Sequence, residues 1–532
     1  MVDSAVFQKL IRLTRVPGAV NRDIIGKEIT NTYLNRKVEI LSTLSYHVDH
    51  GIKFALCVDC WTSKSQHAFL GVSIYYINKQ WQQESFLLAL ADLRRRHKGV
   101  YLYKTLNKVL QTFGISQLIL AVIRDNASNN KTLMEAFQEE YSRQRANRGI
   151  YSIPCADHVL NLVCQAIMKK LNATTDELEI QDLAAETHLV DNEEAESEAR
   201  DREIGYSQPK RRRLSRKQTK RRTKVAPEGL NTWSKIRWIT GKLRQQQHLI
   251  RSLERNITQI MTDKPGIKMN RPTLDVPTRW NSFYYMLRNF SQSRPAIEAV
   301  IRRSPRDFQN LELLEADWSD IGEIQNTLGR IEVLSSFFQG SRAYPTLSSV
   351  LPMIGQLYLD LNELIETDEL KPAIKQAYIT GLEKLKKYFP PEPDLSDRVT
   401  QAHVIATILD PRFKLQGLRG PQWTPERLDR AKRRIKSEYS YYEQQYKTLN
   451  PEEPATEQSS QSTRLARLEA EIYGASEEET NEITRYLAEP RIGAKSKPLD
   501  WWKDAKYGAL KLMAQNYLTI LASSAALEGF FT

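Results

Sequence analysis

Every run that reads as a β-strand lies in the first quarter of this 532-residue chain, and beyond about residue 229 the apolar pattern is almost entirely helical. That change of period constrains the fold more than composition does. Side chains alternate faces along a strand but return to one face every 3.6 residues on a helix. Phe54-Ala-Leu-Cys-Val-Asp59 is a short apolar run closed by a carboxylate. Phe69 to Ile77 is rich in β-branched and aromatic residues, and Gln82 to Leu90 follows it across a turn at Ile77-Asn-Lys-Gln80. A helical stretch covers Tyr101 to Phe113, and Gln117 to Arg124 is another buried-strand run, again ending at an aspartate, Asp125. From Ala156 onward, Val159, Leu162, Val163, Ala166 and Ile167 recur at helical spacing. The order three strands, helix, strand, helix predicts an α/β fold in the first third of the chain.

The composition then breaks. Asp176 to Glu203 holds 12 acidic residues and 2 arginines, and Lys210 to Lys224 holds 10 basic residues and no acid. The two blocks cancel, so the net charge of +13 belongs to the rest of the chain, which favours a polyanionic partner. The predicted organisation is a helical segment over 1–53, an α/β core over 54–171 and a disordered charged linker over 172–228. An all-α domain over 229–450, a second polar linker over 451–484 and a C-terminal segment over 485–532 follow. Leu347, Val350, Leu351, Ile354, Leu357, Tyr358, Leu361, Leu364 and Ile365 mark one long helix of the all-α part. A last helix is expected from Lys506 to Leu518. With 41% hydrophobic residues the chain can bury a core, and no apolar run approaches the roughly 20 residues of a membrane span. Met1 to Arg15 lacks the apolar centre of a secretory leader, and four cysteines do not make a disulfide framework.

Asp59 and Asp125 close predicted buried strands, and strand ends of an open sheet are where α/β sites gather their ligands. Two carboxylates on neighbouring strands could hold a pair of divalent ions for displacement at phosphorus, and hard oxygen ligands suit Mg²⁺ or Mn²⁺. The plainer alternative is that each aspartate caps the turn or helix that follows it. Cys57 and Cys60 form a C-x-x-C, but on a strand they face opposite ways, so no zinc is expected there. Cys155 and His158 have the spacing of two metal ligands without a second pair nearby, so a packed cysteine and a hydrogen-bonded histidine stand as the alternative.

The words around these residues carry more. Val58-Asp-Cys-Trp-Thr-Ser63, Arg124-Asp-Asn-Ala-Ser-Asn-Asn130, Cys155-Ala-Asp-His-Val-Leu-Asn-Leu162 and Leu274-Asp-Val-Pro-Thr-Arg-Trp-Asn-Ser282 occur in that order. Ile408-Leu-Asp-Pro-Arg-Phe413 and Pro498-Leu-Asp-Trp-Trp502 follow, with Met513 to Leu518 and Ala522 to Phe531 at the end. Together they resemble the hAT superfamily of DNA transposases, of the type found in filamentous fungi, over about residues 25 to 532.

The resemblance implies an RNase H-like α/β core interrupted by a large all-α insertion domain. It also implies a metal-dependent site for DNA cleavage and strand transfer, with Asp59, Asp125 and Glu528 as catalytic and metal-binding carboxylates holding Mg²⁺ or Mn²⁺, and no structural zinc. Arg279 and Trp280 match the family's Thr-Arg-Trp-Asn word and would contact DNA, Trp280 by stacking on a base, though a core aromatic is the alternative. His158 belongs to a Cys–His word near the active site. Lys210, Arg211, Arg212 and Arg213 form a basic run that reads as a nuclear import signal or a phosphate clamp, or as a solvated counterweight to the acidic block. Trp501, Trp502, Leu510, Met513, Tyr517 and Leu518 fall in the family's C-terminal dimerisation region, with packing against the sheet as the alternative. Three departures stand out: no BED zinc finger precedes Asp59, Leu527-Glu528-Gly529 replaces the usual Ser-Glu-Arg, and the sequence ends at Thr532. These predict an impaired transposase acting on double-stranded DNA in the nucleus, or a non-catalytic DNA-binding, dimerising protein derived from one.

Overall fold

The computed structural model describes residues 22–62, 67–93, 99–125, 128–144, 149–174, 226–276, 280–340, 347–368, 370–390, 392–420, 423–451 and 481–525. A long helix α1 (Arg22–Asp49) precedes β1 (Phe54–Thr62), β2 (Ala68–Ile77) and β3 (Gln83–Asp92). Then come α2 (Gly99–Thr112), β4 (Ile119–Arg124), α3 (Ser128–Gln144), β5 (Tyr151–Pro154) and α4 (Ala156–Lys170). The five strands form one sheet of order β3-β2-β1-β4-β5. β1 pairs antiparallel with β2 and parallel with β4, and β4 pairs parallel with β5. The run Phe54 to Val58 is fully buried because β1 sits at the centre of this sheet, which explains its unbroken apolar sequence. The turn between β2 and β3 is organised by Asn78, whose side chain accepts hydrogen bonds from the backbone N–H of Gln80 (2.9 Å) and Gln82 (3.0 Å).

Beyond residue 226 every regular element among the described residues is helical. In chain order they are α5 (Thr232–Gln245), α6 (Gln247–Asp263), α7 (Trp280–Gln292), α8 (Arg294–Arg303), α9 (Glu315–Gly340), α10 (Leu347–Glu366) and α11 (Pro372–Tyr388). They are followed by α12 (Arg398–Leu409), α13 (Pro425–Leu449), α14 (Glu482–Ala488), α15 (Pro498–Asp504) and α16 (Ala509–Tyr517). Two compact units result, and neither is contiguous in sequence. The first takes in residues 1–158, 337–356 and 391–532, and so contains the whole sheet and the C-terminal helices. The second takes in 159–336 and 357–390.

In the first unit the C-terminal segment is part of the core. Trp502 is fully buried and donates its indole N–H to the Leu409 carbonyl (2.9 Å). Asn516 Oδ1 accepts from the backbone N–H of Lys53 (2.8 Å) at the entrance to β1, and Gln515 donates to the Ile77 carbonyl (2.8 Å) at the end of β2. Leu510, Met513, Tyr517 and Leu518 are completely buried and Trp501 partly so. These side chains therefore follow the core alternative within their own chain. In the second unit Arg237 and Asp275 form a buried two-pronged ion pair, Nε to Oδ1 at 2.9 Å and an NH₂ to Oδ2 at 2.7 Å. Phe290 and Trp318 stack with ring centres 5.3 Å apart, and Tyr378 fills the interior with its hydroxyl bonded to Thr327 (2.7 Å).

Candidate active site

The parallel half of the sheet decides where the two strand-end aspartates meet. β1 and β4 run in register up to Val58 opposite Arg124, so Asp59 and Asp125 are each one residue beyond the last pair. Matching positions on parallel strands face the same way, and neighbouring strands lie about 4.8 Å apart. Both carboxylates act on one neighbour: burial first, then Asp59 and Asp125, push the Cys60 thiol up to about 12. Each carboxylate also does part of the capping work that its position allows. Asp59 Oδ1 accepts from the Cys60 backbone N–H (2.8 Å), and Asp125 Oδ1 accepts from the Asn130 amide (2.5 Å) in the first turn of α3. Arg124 braces the same corner, with Nε donating to Ser152 Oγ (2.9 Å) and an NH₂ group to the Asp125 carbonyl (2.8 Å).

The C-terminal segment arrives at the same edge. Ala156 N–H donates to the Ala522 carbonyl (2.8 Å), and Cys155 Sγ lies 3.4 Å from Ser523 Oγ. Cys57 Sγ is 3.9 Å from the Ser523 carbonyl, and Ser524 N–H points at Cys155 Sγ at 3.4 Å. Cys57 and Cys155 are thus buried packing for the final segment, and all four cysteines are free thiols. Burial, then Cys155 and Asp59, hold the Cys57 thiol well above its ordinary range. His158 stands in the first turn of α4, half-buried.

Glu528 lies outside the described residues, as do Arg279 and the basic run Lys210, Arg211, Arg212 and Arg213. Trp280 opens α7 and is 4% exposed, so its ring packs in the second unit rather than presenting a face to a base. No group of three or more His, Cys, Asp or Glu side chains with metal-holding geometry occurs among the described residues. What they contribute is two hard-oxygen carboxylates and one buried oxygen without a partner. Asn130 is 3% exposed, spends its amide N–H on Asp125 and leaves Oδ1 unbonded among the described residues. That donor chemistry fits a hydrated divalent cation. Asn130 and Ser523 escape sequence reasoning as single residues, although both belong to the words that carry the resemblance.

The class of protein follows from sheet and site together: a mixed α/β protein with a carboxylate-bearing strand edge and extensive helical additions. Residues 57–149 match the ZBED1 RNase-like domain, residues 223–327 the ZBED1 RNase-like helical domain, and residues 482–532 the hAT family C-terminal dimerisation region. Among relatives, a putative transcriptional regulator, tpeD, of Talaromyces stipitatus is 24% identical over the whole of this chain and 56% of its own length. A putative AC transposase of Zea mays is 22% identical over 95% of this chain and 56% of its own, and a putative AC9 transposase of Zea mays is 21% identical over 95% and 57%. The chain thus carries a match to the hAT family C-terminal dimerisation region and is similar over nearly its whole length to AC-type transposases. It spans a little over half the length of each of these relatives.

Proposed function

We propose that this chain is a hAT-type, transposase-derived protein that cleaves and joins double-stranded DNA in the nucleus, with an RNase H-like core interrupted by an all-α insertion. In this reading Asp59, Asp125 and Glu528 hold Mg²⁺ or Mn²⁺. The observation that supports it best is the arrival of Asp59 and Asp125 at matching positions on neighbouring parallel strands, with residues 522–525 docked beside them three residues short of Glu528. A bound divalent ion supplies charge stabilisation at phosphorus and a nucleophile at neutral pH. The protein's own residues do the positioning. Asn130 fixes the Asp125 carboxylate, Arg124 ties the ends of β4 and β5 together, and Cys155 with Ser523 anchors the segment that leads to Glu528. The dimerisation-region match supports self-association through the C-terminal part. Because Trp502, Leu510, Met513 and Tyr517 are buried in their own unit, the contact surface would be formed by other side chains of that region, the half-buried Trp501 among them.

The test is nicking of supercoiled plasmid by purified protein in Mn²⁺ and in Mg²⁺, beside Asp59→Ala and Asp125→Ala. Nicking that both substitutions abolish is the expected result; nicking that survives either one would refute the metal site. A second reading, a non-catalytic DNA-binding regulator derived from a transposon, is favoured by the relative that carries a regulator's name over the full length of this chain. It predicts salt-dependent retardation of DNA on a gel with no cleavage.

A further inference from the structure

The opposite end of the same sheet holds a second polar site. A cavity of about 260 Å³ opens where β1, β4 and β5 begin, lined by Lys53, Ile119, Tyr151 and Tyr517 together with Arg398 of α12 and Arg434 of α13. All of these belong to the first unit. Its wall carries Lys53, Arg398, Arg434 and the carboxylate of Glu438, and the Lys53 ammonium lies over the Tyr441 and Tyr442 rings at 4.9 and 5.1 Å. Glu438 is already bonded to an NH₂ group of Arg434 at 2.9 Å. Arg398 has no ion pair among the described residues. One of its NH₂ groups is bonded to the Gly149 carbonyl, and its guanidinium lies over the Tyr151 ring at 4.8 Å. The Nε atoms of Arg398 and Arg434 are both buried and have no hydrogen-bond partner among the described residues.

Arg237 shows what this chain does with a buried arginine when the ligand is its own. There Nε and an NH₂ group grip Asp275 in a two-pronged pair. At Arg398 and Arg434 the Nε that such a grip needs is buried and unused. A planar fork with a free Nε is complementary to a carboxylate or phosphate, and a buried donor left unmet is costly. The nearby hydroxyls of Tyr151 and Tyr517, bonded to each other at 2.8 Å, add further polar atoms to the wall. We propose that this cavity binds a small tetrahedral oxyanion, inorganic phosphate or the phosphate group of a small molecule, gripped by Arg398 and Arg434 with Lys53 supplying the third positive charge. The proposal is independent of the carboxylate site, which lies at the other ends of the strands.

The test uses the full chain at constant ionic strength. Inorganic phosphate, pyrophosphate, citrate and a short DNA duplex are titrated separately by calorimetry and by thermal unfolding, against wild type, Lys53→Met, Arg398→Gln and Arg434→Gln. Because a ligand that binds only the native state raises its melting temperature, saturable phosphate or pyrophosphate binding should raise the wild-type midpoint. Each substitution should weaken that binding about tenfold or more, as expected for charge-assisted hydrogen bonds. The three substitutions lie before β1, on α12 and on α13, so loss of fold in one, seen by circular dichroism, leaves the other two to decide. Absence of saturable phosphate and pyrophosphate binding to wild type would overturn the proposal. So would binding that the folded variants retain, citrate binding without phosphate binding, or duplex DNA that displaces phosphate and so claims the arginines as backbone contacts.

Discussion

Replacing Asp59 or Asp125 by asparagine keeps the shape of the side chain and removes one negative charge from beside the Cys60 thiol. Since both aspartates help raise that thiol, either substitution should lower its pKa, read as faster alkylation between pH 8 and 10 than in wild type. This outcome is independent of catalysis. In the nicking assay the same substitutions should cost more than about 100-fold, because even the partners of metal ligands are worth about 10- to 100-fold. Asp275 behaves differently, although it too sits in a family word. It is 5% exposed and neutralises Arg237, so Asp275→Asn strands a buried guanidinium and should destabilise the protein by about 3–5 kcal/mol in urea unfolding. Asp410 has a similar use, accepting from Ser348 Oγ (2.7 Å) and from Arg412 while fully buried. Recognising the words did not separate the aspartates that pair internally from those that face the strand edge. Trp280 carries the same lesson: base stacking and a core aromatic were both open from the sequence, and its ring is buried in the second unit.

At the scale of elements, α1 meets the first unit through one short face near its end, where Ile40, Leu44 and His47 recur at helical spacing and are buried. His47 packs on Tyr76 of β2 with ring centres 4.5 Å apart. Burial first, then His50 and Lys79, lower its pKa from 6.5 to about 4. The sign follows: between these values the unfolded chain binds a proton that the native protein does not, so stability is present above pH 6.5 and declines as pH falls towards 4. Its slope is at most about 1.4 kcal/mol per pH unit. His47→Gln should flatten that part of the urea-denaturation profile relative to wild type. The three long strands and the helices after β3 and β5 were readable from period alone. β5 was not, being only Tyr151–Pro154 and ending in a residue that cannot donate to a ladder. The expected last helix, 506–518, is α16 (Ala509–Tyr517), which begins three residues later, after Gly508, and the short α15 (Pro498–Asp504) before it was not expected. The stripe Leu510, Met513, Tyr517 and Leu518 lies wholly beyond Gly508, which stands at the N-cap of α16. Trp502→Ala, in α15, should cost about 3–5 kcal/mol as a buried aromatic truncation. It should leave the mass from light scattering unchanged, whereas a Trp502 that formed the dimer contact would shift the mass instead.

For the whole molecule, the central fact is that a sheet built from residues 54–154 shares its core with residues 482–525. Tyr151 and Tyr517 bond across 366 residues, and Lys53 and Asn516 across 463. Contacts this distant form late and cooperatively, because loop closure must precede them. A chain cut at residue 481 should therefore lose cooperative unfolding of the sheet as well as the C-terminal helices. Hydrogen exchange would show it as lost protection at Leu56 and Val122 in the cut chain.

The sequence alone determined the α/β beginning, the helical remainder, the charged interruption and the resemblance to the hAT superfamily, because period, charge and short words are local properties of the chain. It also pointed to Asp59 and Asp125, since a carboxylate closing an apolar strand is locally conspicuous. Tertiary structure alone decided that those two strands are parallel neighbours in register, that the C-terminal helices spend their apolar faces on the chain's own core, and that Arg398 and Arg434 line one cavity with Lys53. Each of these depends on which distant segments pack together, and one-dimensional periodicity fixes the face that an element buries without naming the partner that covers it.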